Sequence, residues 1–159
     1  MNKHTRQKNL FKMASTVILV LVMAFYATQT AAETALAQIS TKAGDLVLME
    51  QGQERYFRLK EKVVLRGTSF MTIYRFLRPR GYDALLITDF TGPIECPLRF
   101  QFLALFANGA HEVSPAFGHC SDQPQLTVKG REVIMAFPAF GSQAARTYVF
   151  DGRELRLRP

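Results

Sequence analysis

The chain has 159 residues, 20 Lys plus Arg against 13 Asp plus Glu, a formal net charge of +7, two cysteines and no tryptophan. Its size suits one compact domain, and no internal repeat or low-complexity tract is visible. The basic balance would suggest a nucleic-acid partner, but four of the basic residues sit in an N-terminal segment with a different purpose, and that reading is excluded below.

That segment pairs Lys3, Arg6, Lys8 and Lys12 with an uncharged, mostly apolar run from Met13 to Ala32 whose strongest part is Val17 to Tyr26. It ends in small residues: Thr30-Ala31-Ala32, then Ala35-Leu36-Ala37, an A-x-A pattern. The arrangement is that of a helical export signal with cleavage after Ala32 or Ala37. No cysteine lies near either cut, so no lipoprotein box is present. Residues 1–37 are therefore assigned to the signal and 38–159 to a single β-rich domain, periplasmic or secreted. Retention of the segment as an inner-membrane anchor is the alternative. It would leave the domain facing the periplasm, because positive charge stays on the cytoplasmic side. A cut after Ala32 leaves 16 basic against 13 acidic residues, a net of +3, and a cut after Ala37 leaves +4. Nucleic-acid binding thus loses both its charge and its compartment.

From Glu33 to Gly44 the chain reads as a short linker. Beyond it, strand patterns recur between turn signals: Asp45 to Met49, Arg55 to Leu59, Lys62 to Leu65, Ser69 to Leu77, Ala84 to Thr88, Leu98 to Phe106, Ala110 to Val113, Gln125 to Val128, Glu132 to Phe137, Thr147 to Phe150 and Glu154 to Leu157. Few are long enough to compete as helices. Glycine-containing turns such as Gln51-Gly52, Arg80-Gly81 and Lys129-Gly130 separate them. Asp151-Gly152 predicts a hairpin joining Tyr148-Val149-Phe150 to Leu155-Arg156-Leu157, with Leu155 and Leu157 inward and Arg156 and Arg158 in water.

The run Leu98 to Phe106 predicts the central strand. Leu98, Phe100, Phe102, Ala104 and Phe106 share one face, while Leu103 and Leu105 make the other face apolar as well. Such a strand must be covered on both sides. The predicted class is all-β: a small antiparallel sandwich or barrel-like meander with one disulfide, preceded by the signal helix.

Cys96 and Cys120, in a chain bound for an oxidising compartment, read by default as one disulfide. The bond would close a loop of 25 residues, worth roughly 3 to 4 kcal/mol on the chain-entropy model. A reactive or metal-bound thiol is the other reading and needs partners. His119 adjoins Cys120 and His111 lies nearby, but their spacing matches no closed zinc pattern. No metal and no cofactor is expected.

The run Thr91-Gly92-Pro93-Ile94-Glu95-Cys96-Pro97, the aromatic strand after it, Ser114-Pro115-Ala116-Phe117-Gly118-His119-Cys120-Ser121-Asp122 and finally Tyr148-Val149-Phe150-Asp151-Gly152 resemble a pattern found in exported proteins of Gram-negative bacteria that form an uncharacterised family. The resemblance spans about residues 81 to 157. It implies a secreted β-rich domain with a cystine between Cys96 and Cys120, and it brings no activity.

Catalytic signals are sparse. Ser114, Ser121 and Ser142 lack a G-x-S-x-G elbow, and the loop from His111 to Asp122 holds the serines and histidines from which a small periplasmic hydrolase would have to be built. Glu95 and Glu112 as paired carboxylates are no more specific than any two acids. One charge feature stands out. Between Arg55 and Arg80 lie eight basic residues (Arg55, Arg58, Lys60, Lys62, Arg66, Arg75, Arg78, Arg80) against one acid, Glu61, interleaved with aromatic rings. This is either a solvated sheet face or a docking face, centred on Arg75, Arg78 and Arg80, for an anionic envelope component or an acidic protein. The favoured function is a non-enzymatic envelope protein, a binding or inhibitor/immunity-type β-domain. The competing class is the small hydrolase.

Overall fold

Strand formation follows the alternation in the sequence almost everywhere. The computed structural model describes residues 31–93, 96, 98–118, 121 and 123–158; the expected signal helix, and Glu95, His119, Cys120 and Asp122, lie outside the described residues. Twelve strands follow one another: β1 (Thr34–Thr41), β2 (Gly44–Gln51), β3 (Glu54–Leu59), β4 (Lys62–Thr68), β5 (Thr72–Leu77), β6 (Asp83–Phe90), β7 (Leu98–Leu105), β8 (His111–Val113), β9 (Gln125–Lys129), β10 (Glu132–Phe137), β11 (Arg146–Phe150) and β12 (Leu155–Arg158). No helix occurs among the described residues.

The strands form three antiparallel sheets of four, each ordered as in the chain: β1-β2-β3-β4, β5-β6-β7-β8 and β9-β10-β11-β12. This is neither a two-layer sandwich nor a closed barrel. The reason lies in the middle sheet. Leu85 and Ile87 of β6 and Leu103 and Leu105 of β7 pack with Leu46, Leu48, Phe57, Leu59 and Val64 of the first sheet. Ala84 and Leu86 of β6 and Phe100, Phe102 and Ala104 of β7 face the other way, onto Val133, Met135, Phe137 and Phe150 of the third. With both faces apolar, β6 and β7 need two covers, and the chain supplies one before and one after them. The second core is largely aromatic: the Phe102 ring stacks on Phe150 at 4.8 Å between centroids and on Phe117 at 5.5 Å.

The expected linker is a strand. β1 pairs along its length with β2, from Thr34 opposite Glu50 to Thr41 opposite Gly44, with a bulge between Ala35 and Ala37. Its small and polar residues carry little strand signal. Only Ala37 and Ile39 pack against the core, as befits an edge strand with a neighbour on one side. The strand expected from Ser69 begins later, at Thr72, because β4 runs on to Thr68 and a tight turn follows in which the Met71 amide donates to the Thr68 carbonyl at 3.0 Å.

The β11–β12 hairpin forms at the expected place, with Phe150 opposite Leu155 and Val149 opposite Arg156. One carboxylate organises its loop: Asp151 Oδ1 accepts the amides of Arg153 and Glu154 at 3.0 and 2.9 Å. The Glu154 amide above all holds the Asp151 carboxyl below the usual carboxylate range. Leu155 packs on the aromatic core as expected, but Leu157 does not turn inward. It is 58% exposed, because β12 is the free edge of an outer sheet.

Gly152 has a φ of +96° and lies under the fully buried Tyr82, whose ring a Cβ would approach to 2.8 Å. The Tyr82 hydroxyl donates to the Arg131 carbonyl at 2.8 Å, and burial pushes its phenol well above the ordinary value. Gly152→Ala is therefore expected to cost about 2 kcal/mol or more in urea unfolding, from left-handed strain and overpacking together. Gly130→Ala, at φ +60° with open space around it, is expected to cost less. Equal costs for the two would contradict the assigned packing.

Candidate functional site

Folding leaves three of the eight basic residues paired and five, Lys60, Lys62, Arg75, Arg78 and Arg80, without an ion pair among the described residues. Arg55 on β3 meets Glu50 of β2 at 3.0 Å and donates to the Met71 carbonyl at 3.1 Å. Arg58 meets Glu33 at 3.3 Å, and Arg66 meets Glu54 at 3.6 Å while covering the Tyr56 ring. These partners come from outside the Arg55–Arg80 run, and they answer three of its eight positive charges.

Arg75, Arg78 and Arg80 are different. All three are exposed, and among the described residues none forms an ion pair. They lie on or just after β5, an edge strand of the middle sheet. Arg75 sits opposite Leu86, on the side of β5 that faces the third sheet, with its guanidinium 5.7 Å from the centre of the Tyr74 ring. Arg80 follows β5, and its amide donates to the Gly130 carbonyl of the β9–β10 turn at 2.7 Å. Arg78 lies over the Phe76 ring at 5.1 Å. It lines a cavity of about 370 Å³ together with Ser40, Thr41, Lys42 and Asp83.

That cavity joins the first sheet to the second, and it is built around the β1–β2 turn. The Thr41 hydroxyl donates to the Gly44 carbonyl at 2.6 Å and accepts the Ala43 amide at 3.2 Å, which fixes the turn. The Lys42 amide then donates to Asp83 Oδ2 at 2.6 Å. Asp83 opens β6 and is 1% exposed. Its other oxygen, Oδ1, has no hydrogen-bond donor among the described residues; the Lys42 ammonium stands 3.8 Å away, close enough for charge attraction but too far for a hydrogen bond.

The opposite end of β6 provides a comparison within the same molecule. Asp89 is also buried and also reaches a backbone amide of the first sheet, that of Thr68, at 3.0 Å. There, however, the second oxygen is satisfied, by the Thr68 hydroxyl. The carboxylate comes this close because residue 67 is glycine: a Cβ there would lie 2.8 Å from Asp89 Oδ2. Two buried aspartates thus pin the first sheet to the second, and of the two it is Asp83 that keeps an oxygen without a donor among the described residues. Neither Lys42 nor Asp83 stands out in the sequence, since a single acid before an apolar run looks like an ordinary strand boundary.

The polar loop offers less. Ser114 is buried, accepting the Phe102 amide at 2.9 Å and donating to the Pro115 carbonyl at 3.0 Å, so its hydroxyl is engaged in holding the chain beside β7. His111 lies in β8 opposite Leu105, beside a second cavity lined partly by Lys60, Glu61 and Lys62. Ser121 is buried and accepts the Gln123 amide at 3.3 Å. Cys96 accepts a hydrogen bond from the Gln143 side chain at 3.7 Å; its expected partner, Cys120, is outside the described residues. Among the described residues no group of three or more potential metal ligands converges.

Comparison with protein-family models, curated proteins and solved structures returns no match.

The two aspartate clamps make a direct prediction. Thr68→Val keeps the shape of the side chain but strips Asp89 Oδ1 of its donor, and is expected to cost about 1 to 3 kcal/mol in denaturant unfolding. Asp89→Ala with Thr68→Val should cost less than the sum of the two single changes. Additive costs would mean that the two groups do not interact.

Proposed function

We propose that this chain is an exported, non-enzymatic β-domain that binds an anionic component of the cell envelope through the Arg75–Arg80 segment and Lys42. The observation that carries the reading is that the basic run is neutralised only in part, which leaves a group of three arginines on and just after β5 unanswered among the described residues. Arg55, Arg58 and Arg66 have acidic partners, whereas Arg75, Arg78 and Arg80 stand exposed without one. Arginine suits carboxylate and phosphate recognition because its planar fork matches both groups. Affinity capture from envelope extract, followed by titration of the recovered component, tests this. The Arg75→Gln/Arg78→Gln/Arg80→Gln variant should keep its fold but bind more weakly, with a flatter salt dependence. Unchanged affinity at low and high salt would remove the proposal.

Export with cleavage after Ala32 is part of the same reading, and β1 supports that choice of site. A cut after Ala37 would delete the first half of the strand, including the partners of Glu50 and Met49. A cut after Ala32 leaves β1 whole and keeps Glu33, which pairs with Arg58. The Cys96–Cys120 disulfide belongs here too, supported by the compartment and by the absence of a free cysteine among the described residues. Intact-mass analysis of the periplasmic fraction, treated with maleimide without reductant, should find a chain beginning at Glu33 and no adduct. A start at Gln38 would overturn the cleavage site, recovery of full-length chain only in membranes would overturn cleavage itself, and a maleimide adduct would overturn the disulfide.

A further inference from the structure

We infer that β1 is the interface through which two copies of this chain pair antiparallel, joining their four-stranded first sheets into one, with the two-fold axis at Gln38. The inference goes beyond the anionic-partner reading and does not depend on it.

The first observation is a contrast among sheet edges. Each sheet has two edge strands: β1 and β4, β5 and β8, β9 and β12. All but β1 carry charge, with Lys62 and Arg66 on β4, Arg75 on β5, Glu112 on β8, Lys129 on β9, and Arg156 and Arg158 on β12. Charged side chains are a usual guard against edge-to-edge pairing. β1 is the longest of these strands, at eight residues, yet it has neither a charge nor a proline, and its Leu36 is 43% exposed. Its outer side has no strand partner among the described residues, so a row of backbone amides and carbonyls is presented as a template for pairing.

The second observation is that β1 is complementary to itself. Ala37 and Ile39 stand opposite Leu48 and Leu46 and pack on the first core. The bulge leaves Leu36 out of register, so Ala35 pairs with Met49 and Thr34 with Glu50. Thr34 therefore shares a side with Ala37, Ile39 and Thr41, and Ala35 shares the other with Gln38 and Ser40. Directly opposed residues of two paired strands lie on the same side of the sheet. A two-fold axis normal to the sheet at Gln38 meets that condition along the whole strand. It sets Gln38 against the second copy's Gln38, Ala37 against its Ile39 and, beyond the bulges, Ala35 against its Ser40 and Thr34 against its Thr41. Without the bulged residue the last two pairs would fall on opposite sides.

The ends match as well. Glu33 and Lys42 bound the strand, and this register brings the Glu33 of each copy to the Lys42 of the other. Their side chains are 43% and 46% exposed, which leaves both open to a further partner. Parallel pairing would instead set like charges side by side, which is unfavourable. A strand that answers its own side chains and its own terminal charges fits a second copy of the chain.

Glu33–Pro159 forms one compact unit, and the test uses that chain, so its result is separate from where the signal is cut. Sedimentation velocity should show a concentration-dependent dimer; below the association range β1 is the free outer edge that it is in the single chain. Gln38→Lys places two cations together at the axis, and should raise the dimer dissociation constant at least about tenfold while leaving the circular dichroism unchanged. Gln38→Glu should do the same. An equal mixture of the two variants should restore the dimer, because residue 38 of one copy faces residue 38 of the other. The Gln38 side chain donates to Asp45 at 3.0 Å, so if Gln38→Glu fails to fold, Glu33→Lys takes its place, confronting the second copy's Lys42 and again weakening the dimer. A chain that stays monomeric to a concentration on the order of 1 mM would overturn the inference and leave β1 to a strand of another protein. A dimer insensitive to Gln38→Lys, or a mixture of folded variants that stays monomeric, would overturn it too.

Discussion

The structure depends on burying β6 and β7 on both faces. From Asp83 to Asp89 every residue of β6 is buried, and β7 is buried from Phe102 to Leu105. A sheet with one apolar face can rest on a single partner, but one with two apolar faces leaves a large area in water unless a layer lies on each side. The chain meets the requirement with a four-stranded meander on either side of a third, so that every sheet pairs neighbours in sequence. Long crossovers are unnecessary, and the three-residue passage from β4 to β5 suffices to change layer. Met71, in that passage, is itself buried in the first core.

The polar groups of β6 work with this arrangement. A strand enclosed on both faces cannot place a carboxylate in its interior, so its two aspartates occur at the ends, where backbone amides of the first sheet meet them. Each carboxylate exchanges hydration for a charge-assisted hydrogen bond across layers, which fixes how the sheets are aligned in a way that apolar contact alone does not. The same device has two outcomes. At Asp89 the neighbouring side chain is a threonine, which closes the pair; at Asp83 it is a lysine whose ammonium stands off at 3.8 Å.

Much of this architecture is legible in the sequence. The alternation of Phe100, Phe102 and Ala104 against Leu103 and Leu105 identifies the doubly covered strand, and Asp151-Gly152 identifies the last hairpin because its turn chemistry is local. β1 is not legible, since Thr34 to Thr41 has few large apolar residues and its partner β2 supplies the order. The number of layers is not legible either: alternation says that both faces of β7 are covered, not that the covers are separate sheets. The basic run is visible as a string of charges, but its division into answered and unanswered arginines depends on where Glu33, Glu50 and Glu54 are brought by pairing. The Asp83 cavity is assembled from residues forty positions apart, and neither side carries a signal by itself.

Native-state hydrogen exchange of the mature domain measures the central constraint directly. If the doubly covered strands hold the layers together, the amides of β6 and β7 exchange only through global unfolding, with opening free energies equal to that from denaturant, while β1 and β12 at the outer sheet edges open more easily. Exchange of β6 and β7 at the rate of those edge strands would contradict the account, because the outer sheets would then be stable without the layer on which they are said to depend.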